Sequence, residues 1–219
     1  MEGPRREKIL RGEHWEVIRL RLGPYENNAY VVKETRAGCA VLVDAPWDPK
    51  ALLQDLYEYT VAAILLTHAH PDHLLALAEV RAATGAPVGI HALEPEASDL
   101  TPEMWLEEGE VISVGHFQIR VLHTPGHTAG SVTFLLEQRA AFCGDTIFPG
   151  GPGRTWSPEG FQEILRSLES KIYSLPEDVL LLPGHGEPIT VGESKKEYTG
   201  FLARGPRGGL WGEVRWDGV

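Results

Sequence analysis

Hydrophobic positions in the first third of the chain come in short runs broken by Gly-Pro and charged turns: VIRLRL at 17–22, NAYVVK at 28–33 and CAVLVDA at 39–45. Runs of this length, bounded by turn formers, predict strands, and their close succession predicts an antiparallel meander. Asp48-Pro49 then supplies an N-cap followed by a proline at the first helical position, and Leu52, Leu53, Leu56 and Tyr57 are spaced to face one side of the helix it starts. VAAILL at 61–66 is uninterruptedly apolar, the pattern of a central strand covered on both faces. It leads directly into THAHPDH, after which Leu74, Leu75, Leu77, Ala78 and Val80 predict a second helix ending at Gly85.

The second half repeats this texture. Strands are predicted near 87–91, 117–122, 131–136 and 140–143, followed by a helix over 159–172 whose Phe161, Ile164, Leu165, Leu168 and Ile172 share a face. VLLLP at 179–183 is the last predicted strand. Strands outnumber helices and come in runs, so the pattern predicts an α+β fold of two mostly antiparallel sheets covered by helices, rather than a doubly wound sheet. The whole chain, 1–219, reads as a single domain with its core over about 13–203. The remaining tail, 204–219, is rich in Gly, Trp and Arg and reads equally as a loose end, a docking strand or, through Trp211 and Trp216, a homodimer contact.

Composition narrows the partners. A net charge of −11 repels a phosphate backbone over most of the surface and argues against nucleic acid. The first residues, MEGPRREKILRGEHWEV, are charged throughout and do not form a secretory signal. No segment approaches the roughly 18 apolar residues of a membrane span. A cytoplasmic protein that acts on a small molecule, with no membrane partner, is the simplest reading. Cys39 and Cys143 each sit in an apolar run and read as small buried hydrophobes rather than a disulfide.

Candidate chemistry begins at the end of the predicted central strand, where His68, His70, Asp72 and His73 crowd into six positions. Imidazole and carboxylate suit zinc and similar divalent ions. In extended chain the spacing His68-x-His70 projects both imidazoles the same way, and Asp72 and His73 follow where the chain turns into a helix. HTPGHT at 123–128 adds His127, GDT at 144–146 adds Asp145, and PGHG at 183–186 adds His185. Each alone is an ordinary polar loop residue; together, all at predicted strand ends, they form one candidate site. Tyr25, Asn27 and Asn28 read as a turn signal, with a place in the site as the alternative. His14, His91, His116 and His123 have no partner motif and read as structural or surface residues, His123 as a support for its own loop.

THAHPDH, HTPGHT, GDT and PGHG, in this order and at these separations, resemble the metallo-β-lactamase superfamily over nearly the whole chain, from about residue 28 to about 203. The resemblance implies a four-layer αβ/βα sandwich with the site along one edge. It implies that His68, His70 and His127 hold one metal ion, that Asp72, His73 and His185 hold a second, and that Asp145 bridges both. In flavodiiron relatives a glutamate usually stands where this chain has His70, so the resemblance points to hydrolysis rather than oxygen reduction. Two ions about 3.5–4 Å apart share a bridging hydroxide as nucleophile, with Asp72 placed to orient it or relay a proton. Zinc is the first expectation from ligand chemistry, with iron or manganese as alternatives.

Within that superfamily, GDTIFPGGPGRT at 144–155 and PGHGEPITVGESKKEYTGFL at 183–202 are similar to the short glyoxalase-II-like group, the hydroxyacylglutathione hydrolase relatives. Full-length members carry a helical C-terminal extension; with 34 residues after His185, that extension is expected to be missing and glutathione recognition to be weakened. Arg154, in the loop after GDT, is the candidate for gripping a substrate carboxylate, a surface ion pair being the alternative. Where the group commonly has Asp after Gly-Arg-Thr, this chain has Trp156. The expected function is thioester hydrolysis. Its alternatives are a mono-iron persulfide dioxygenase, a lactonase or esterase (a β-lactam substrate included), and a metal-binding protein without turnover.

Overall fold

Alternation of side chains along the strands sorts the buried apolar residues into three separate cores, and three cores separate four layers. The structure, a computed structural model, describes residues 5–94, 99–205 and 209–218. The first sheet has seven strands in sequence order: β1 (Arg5–Arg11), β2 (Trp15–Leu22), β3 (Asn27–Glu34), β4 (Cys39–Val43), β5 (Thr60–Leu65), β6 (Val88–His91) and β7 (Met104–Leu106). Its first three pairings are antiparallel and its last three parallel. The second sheet contains β8 (Val111–Val114), β9 (Phe117–His123), β10 (Val132–Leu136) and β11 (Ala140–Gly144). Beyond a small hairpin of β12 (Ile147–Phe148) and β13 (Gly151–Pro152), it is completed by β14 (Leu180–Pro183) and β15 (Ile189–Thr190). All its pairings are antiparallel except β11 with β14. The expectation of mostly antiparallel sheets therefore holds for the second and needs correction for the first, where helical crossovers join β4 to β5 and β5 to β6 and so force parallel pairing.

Those crossovers are α1 (Pro49–Leu56) and α2 (Leu77–Thr84). They cover one face of the first sheet, where Ile18, Leu20, Val31, Leu42 and Ile64 meet Leu52, Leu56 and Val80. The opposite faces of the strands supply Val17, Val32, Val43 and Leu65, which pack on Phe117, Phe134 and Phe142 of the second sheet. The outer face of the second sheet, with Leu135, Cys143 and Leu181, is covered by α3 (Pro158–Ser167), its π-helical continuation Leu168–Ile172, and α4 (Val191–Ala203). The result is the α+β four-layer sandwich, and among the described residues no helix is long and apolar enough to cross a membrane.

Element ends follow local chemistry. Asp48 caps α1 by accepting from the Ala51 amide, Ser157 caps α3 through Gly160, and α2 ends at a left-handed Gly85. Two helix faces differ from expectation. Tyr57 lies beyond the last turn of α1 and is 88% exposed. Leu75 and Ala78 point to solvent, because residues 74–76 form a separate turn before α2 begins.

The fold also extends past both ends of the expected core. Strand β1, charged and mostly exposed, forms the sheet edge, where such residues discourage further pairing. At the other end Trp216 is buried in the third core against Tyr198 and Phe201, so it is unavailable as a dimer contact, while Trp211 is exposed. Both cysteines are free, Cys143 buried and Cys39 half-buried.

Phe134 is fully buried between the two sheets. Phe134→Ala is expected to lower the unfolding free energy by about 3–5 kcal/mol in urea titrations, and a loss below about 1 kcal/mol would contradict the packing described.

Candidate metal centre

Every sequence-selected ligand lies where a strand gives way to a loop on the same edge of the sandwich. His68 and His70 follow β5, His127 follows β9, Asp145 follows β11 and His185 follows β14. Parallel pairing of β11 with β14 sets Gly144 opposite Pro183, which brings Asp145 and His185 side by side. Asp72 and His73 stand on a single 3₁₀ turn, Pro71–His73. His68, His70 and His127 form one cluster and Asp72, His73 and His185 another, each with potential ligand atoms within 4.8 Å of one another. A third overlapping cluster, His68, His73 and Asp145, joins them. The Asp145 carboxylate is 3.4 Å from His73 Nε2 through one oxygen and 3.7 Å from both His127 Nε2 and His185 Nε2 through the other. All seven predicted ligands are thus brought together, with Asp145 between the two triads.

Hydrogen bonds around the rim fix the imidazoles. His73 Nδ1 donates to Asp44 (2.9 Å), His127 Nδ1 to the Arg154 carbonyl (2.7 Å) and His185 Nδ1 to the Tyr25 carbonyl (3.1 Å). Thr67 Oγ1 donates to Asp44 and therefore accepts from His68 Nδ1. Carboxylates and carbonyls only accept, so Nδ1 of each of these four imidazoles carries a proton, and loss of any second proton leaves the Nε2 lone pair aimed inward. His70 Nδ1 lies 2.9 Å from His127 Nε2. Among the described residues, the buried Nε2 atoms of His68 and His73 and Oδ1 of Asp145 have no hydrogen-bond partner. Inward lone pairs on orphaned buried nitrogens, closed around carboxylate oxygens, fit a pair of divalent cations.

The charges agree. Burial, with the charge of His73, pushes His68 well below its ordinary value. Burial also lowers His73, but Asp145 and Asp44 outweigh it and hold that imidazole well above its ordinary value. Asp145 is held ionised, far below the usual carboxylate range, because His73, His68 and His127 overcome its burial. The hydrogen bond from His185, together with His73 and Asn27, does the same for Asp72.

Several contributors were not assigned from sequence. Asp44 has φ of 56° and binds the Thr67 amide and hydroxyl as well as His73; its trace in the sequence is a lone carboxylate closing the apolar run CAVLVDA. Asn27 and Asn28, read chiefly as a turn, belong to the site. Asn27 donates to Asp72 at 2.9 Å, and Asn28 donates to the carbonyls of Pro183 and Gly186, pinning the His185 loop. Tyr30 donates to the same Pro183 carbonyl. Gly184 leaves the room that Asp145 needs, since a Cβ there would stand 2.3 Å from its Oδ1. His123 donates to the Ala129 carbonyl within its loop and stacks on His91, outside the cluster. Arg154 is half exposed, its guanidinium 4.6 Å above the Trp156 ring and 3.8 Å from Glu213.

The family model described as the Metallo-beta-lactamase superfamily matches residues 22–185, a span that contains all seven candidate ligands and Asn27. The chain belongs to this superfamily. Among its relatives, the hydroxyacylglutathione hydrolase GloC of Haemophilus influenzae is 30% identical over 179 residues, covering 72% of this chain and 84% of that protein. The solved B3 metallo-beta-lactamase BLEG-1 is 33% identical with a TM-score of 0.72, covering 82% of this chain and 96% of that one. TTHA1623, solved in a di-iron-bound form, is also 33% identical, with a TM-score of 0.68 over 81% of this chain and 96% of its own. Metallo-beta-lactamase membership makes the chain a metallo-hydrolase in fold and site layout, and relatives at similar distance carry different substrate names.

Two outcomes follow from this geometry. Asp44→Asn should weaken zinc binding about 10–100-fold in chelator competition, and unchanged affinity would contradict the role given to Asp44. Because His73 and His185 are held above their ordinary values, ions must displace protons from them; affinity should fall steadily from about pH 8 to about pH 6, and a flat profile would contradict it.

Proposed function

We propose that this chain is a thioester hydrolase acting on acyl-glutathione-like substrates through a two-metal site. One ion is assigned to His68, His70 and His127, the other to Asp72, His73 and His185, with Asp145 shared. Zinc is the first choice for so nitrogen-rich a ligand set; the likeness to a protein solved with two irons supports iron as the alternative. The observation that carries the reading is Asp145 standing between two triads, in a chain similar over most of its length to a hydroxyacylglutathione hydrolase.

Divalent ions held by these residues would supply an acidified water near neutral pH and polarisation of the acyl carbonyl. The chain's own groups supply the rest. Asp72, held ionised by His185 and Asn27, is a hydrogen-bond acceptor at the mouth of a recess lined by Tyr25, Pro71, Leu75 and His185, and so orients the attacking water. A thiolate leaving group has a conjugate acid of pKa about 8.5 and departs without a strong general acid. Exposed Trp156, whose ring lies 6.4 Å from that of His70, and exposed Leu75 give apolar surface on either side for the body of the substrate.

The full chain, reconstituted separately with zinc, manganese and iron, is expected to hydrolyse S-lactoylglutathione, and Asp72→Ala to lose about 10²–10⁴-fold in kcat/KM. No turnover with any metal would overturn the thioesterase reading. Likeness to a B3 metallo-beta-lactamase favours β-lactam hydrolysis as the second reading, and turnover of nitrocefin exceeding that of the thioester would replace the first with it.

A further inference from the structure

A second recess, of about 350 Å³, is lined by His127, Asp145, Phe148 and Arg154 and by Glu213 and Arg215 of the C-terminal segment. That segment is built into the loop after Asp145. Gly212 and Thr155 exchange both backbone hydrogen bonds, at 3.0 and 3.1 Å, and the Trp216 amide donates to the Gly150 carbonyl at 2.6 Å. Burial of the Trp216 ring between Tyr198 and Phe201 anchors the far end. The loop is shaped to receive it: a Cβ on Gly151 would stand 2.5 Å from the Val214 carbonyl oxygen, and one on Gly150 would stand 2.9 Å from an Arg215 guanidinium nitrogen. Gly150 and Gly151 have φ of 89° and 156°, backbone that favours glycine, and at Gly151 the Val214 carbonyl leaves no room for a side chain.

The charge in this recess differs from that of the protein as a whole. On a chain of net charge −11 an anion is repelled from most of the surface, whereas this lining sets two guanidinium groups against one exposed acid, Glu213, beside the Asp145 carboxylate that bound ions would neutralise. Each has an exposed acid as its ion-pair partner among the described residues: Arg154, stacked on Trp156, faces Glu213 at 3.8 Å, and Arg215 Nε donates to Asp217 at 3.1 Å. Exposed pairs of this kind contribute little, so an incoming carboxylate can replace the acid, and a guanidinium binds a carboxylate through two parallel hydrogen bonds.

We propose that residues 212–216 form a substrate-binding wall in which Arg215, together with Arg154, grips a carboxylate of the substrate and selects carboxylate-bearing thioesters over neutral ones. The proposal deepens the thioesterase reading and takes its direction from it, but its test reads binding and not turnover. Arg215 is a specificity residue here, and its exposure makes its substitution harmless to folding.

The metal-loaded full chain is titrated calorimetrically with S-hexylglutathione, a thioether that cannot be hydrolysed, and with the corresponding diamide, which lacks both carboxylates. The unsubstituted protein is expected to prefer the dicarboxylate by about 10-fold or more. Arg215→Gln should lose about 10-fold for the dicarboxylate and leave the diamide unchanged, Arg215→Lys should fall between, and Arg11→Gln, an equal charge change on the exposed edge strand, should have no effect. Absence of any preference in the unsubstituted protein, an unchanged preference in Arg215→Gln, or equal loss of both ligands would each overturn the proposal. Failure to turn over S-lactoylglutathione sinks the thioesterase reading and leaves this binding result standing. Full turnover with an unaltered preference in Arg215→Gln does the reverse.

Discussion

Buried imidazole nitrogens and carboxylate oxygens that find no hydrogen bond are costly, roughly 1–3 kcal/mol each and more when charged, and at one edge of this sandwich several are packed together. Only a cation of high charge density satisfies such a set at once. The structure around the cluster holds it in that state. Asp44, with its unusual backbone angle, ties the end of β4 to Thr67 and His73, so two strands and the 3₁₀ turn meet on one carboxylate. Asn28 and Tyr30 of β3 lock the loop that carries His185. The close approach of Gly184 to Asp145 then lets the two parallel strands of the second sheet deliver neighbouring ligands. The two sheets thus act as one frame whose cores fix the strand ends that carry the site.

Two sides of the centre differ in character. Toward Asp72 and His185 the recess is bordered by Tyr25, Pro71 and Leu75 and is largely apolar. Toward His127 and Asp145 it is bordered by arginine and by chain returning from the C-terminus. A scissile bond lying across the metal pair would therefore place one end of the substrate against apolar surface and the other against positive charge. In the superfamily the reacting centre is common property, and discrimination between substrates has to come from such flanking surfaces.

Much of this was legible in the sequence because the ligands announce themselves by type and spacing: five histidines and two aspartates at strand ends, each strand marked by an apolar run. The central strand, the capped start of α1 and two sheets covered by helices follow from the same local rules, and the four-layer order from the family resemblance. What escaped has physical reasons. The short strands β7, β12, β13 and β15 carry too few residues for an alternation to register, and β1 is charged along its length. Helix α4 has weak amphipathicity, although its capping box, Thr190 with Glu193, stood in the sequence as a start signal. Asp44 and Asn27 act through partners 29 and 45 positions away, which no window along the chain can relate. The tail stays undecided in the sequence because its anchoring residue, Trp216, packs on Tyr198 and Phe201 of a helix with no clear apolar stripe.

The central claim is that seven side chains from four segments hold two ions, and elemental analysis tests it most directly. Protein saturated with zinc and freed of excess by gel filtration should carry about two ions per chain by plasma mass spectrometry, falling to about one when either His127 or His185 is replaced by alanine. One ion or fewer in the unsubstituted chain, or two retained in both variants, would contradict the account.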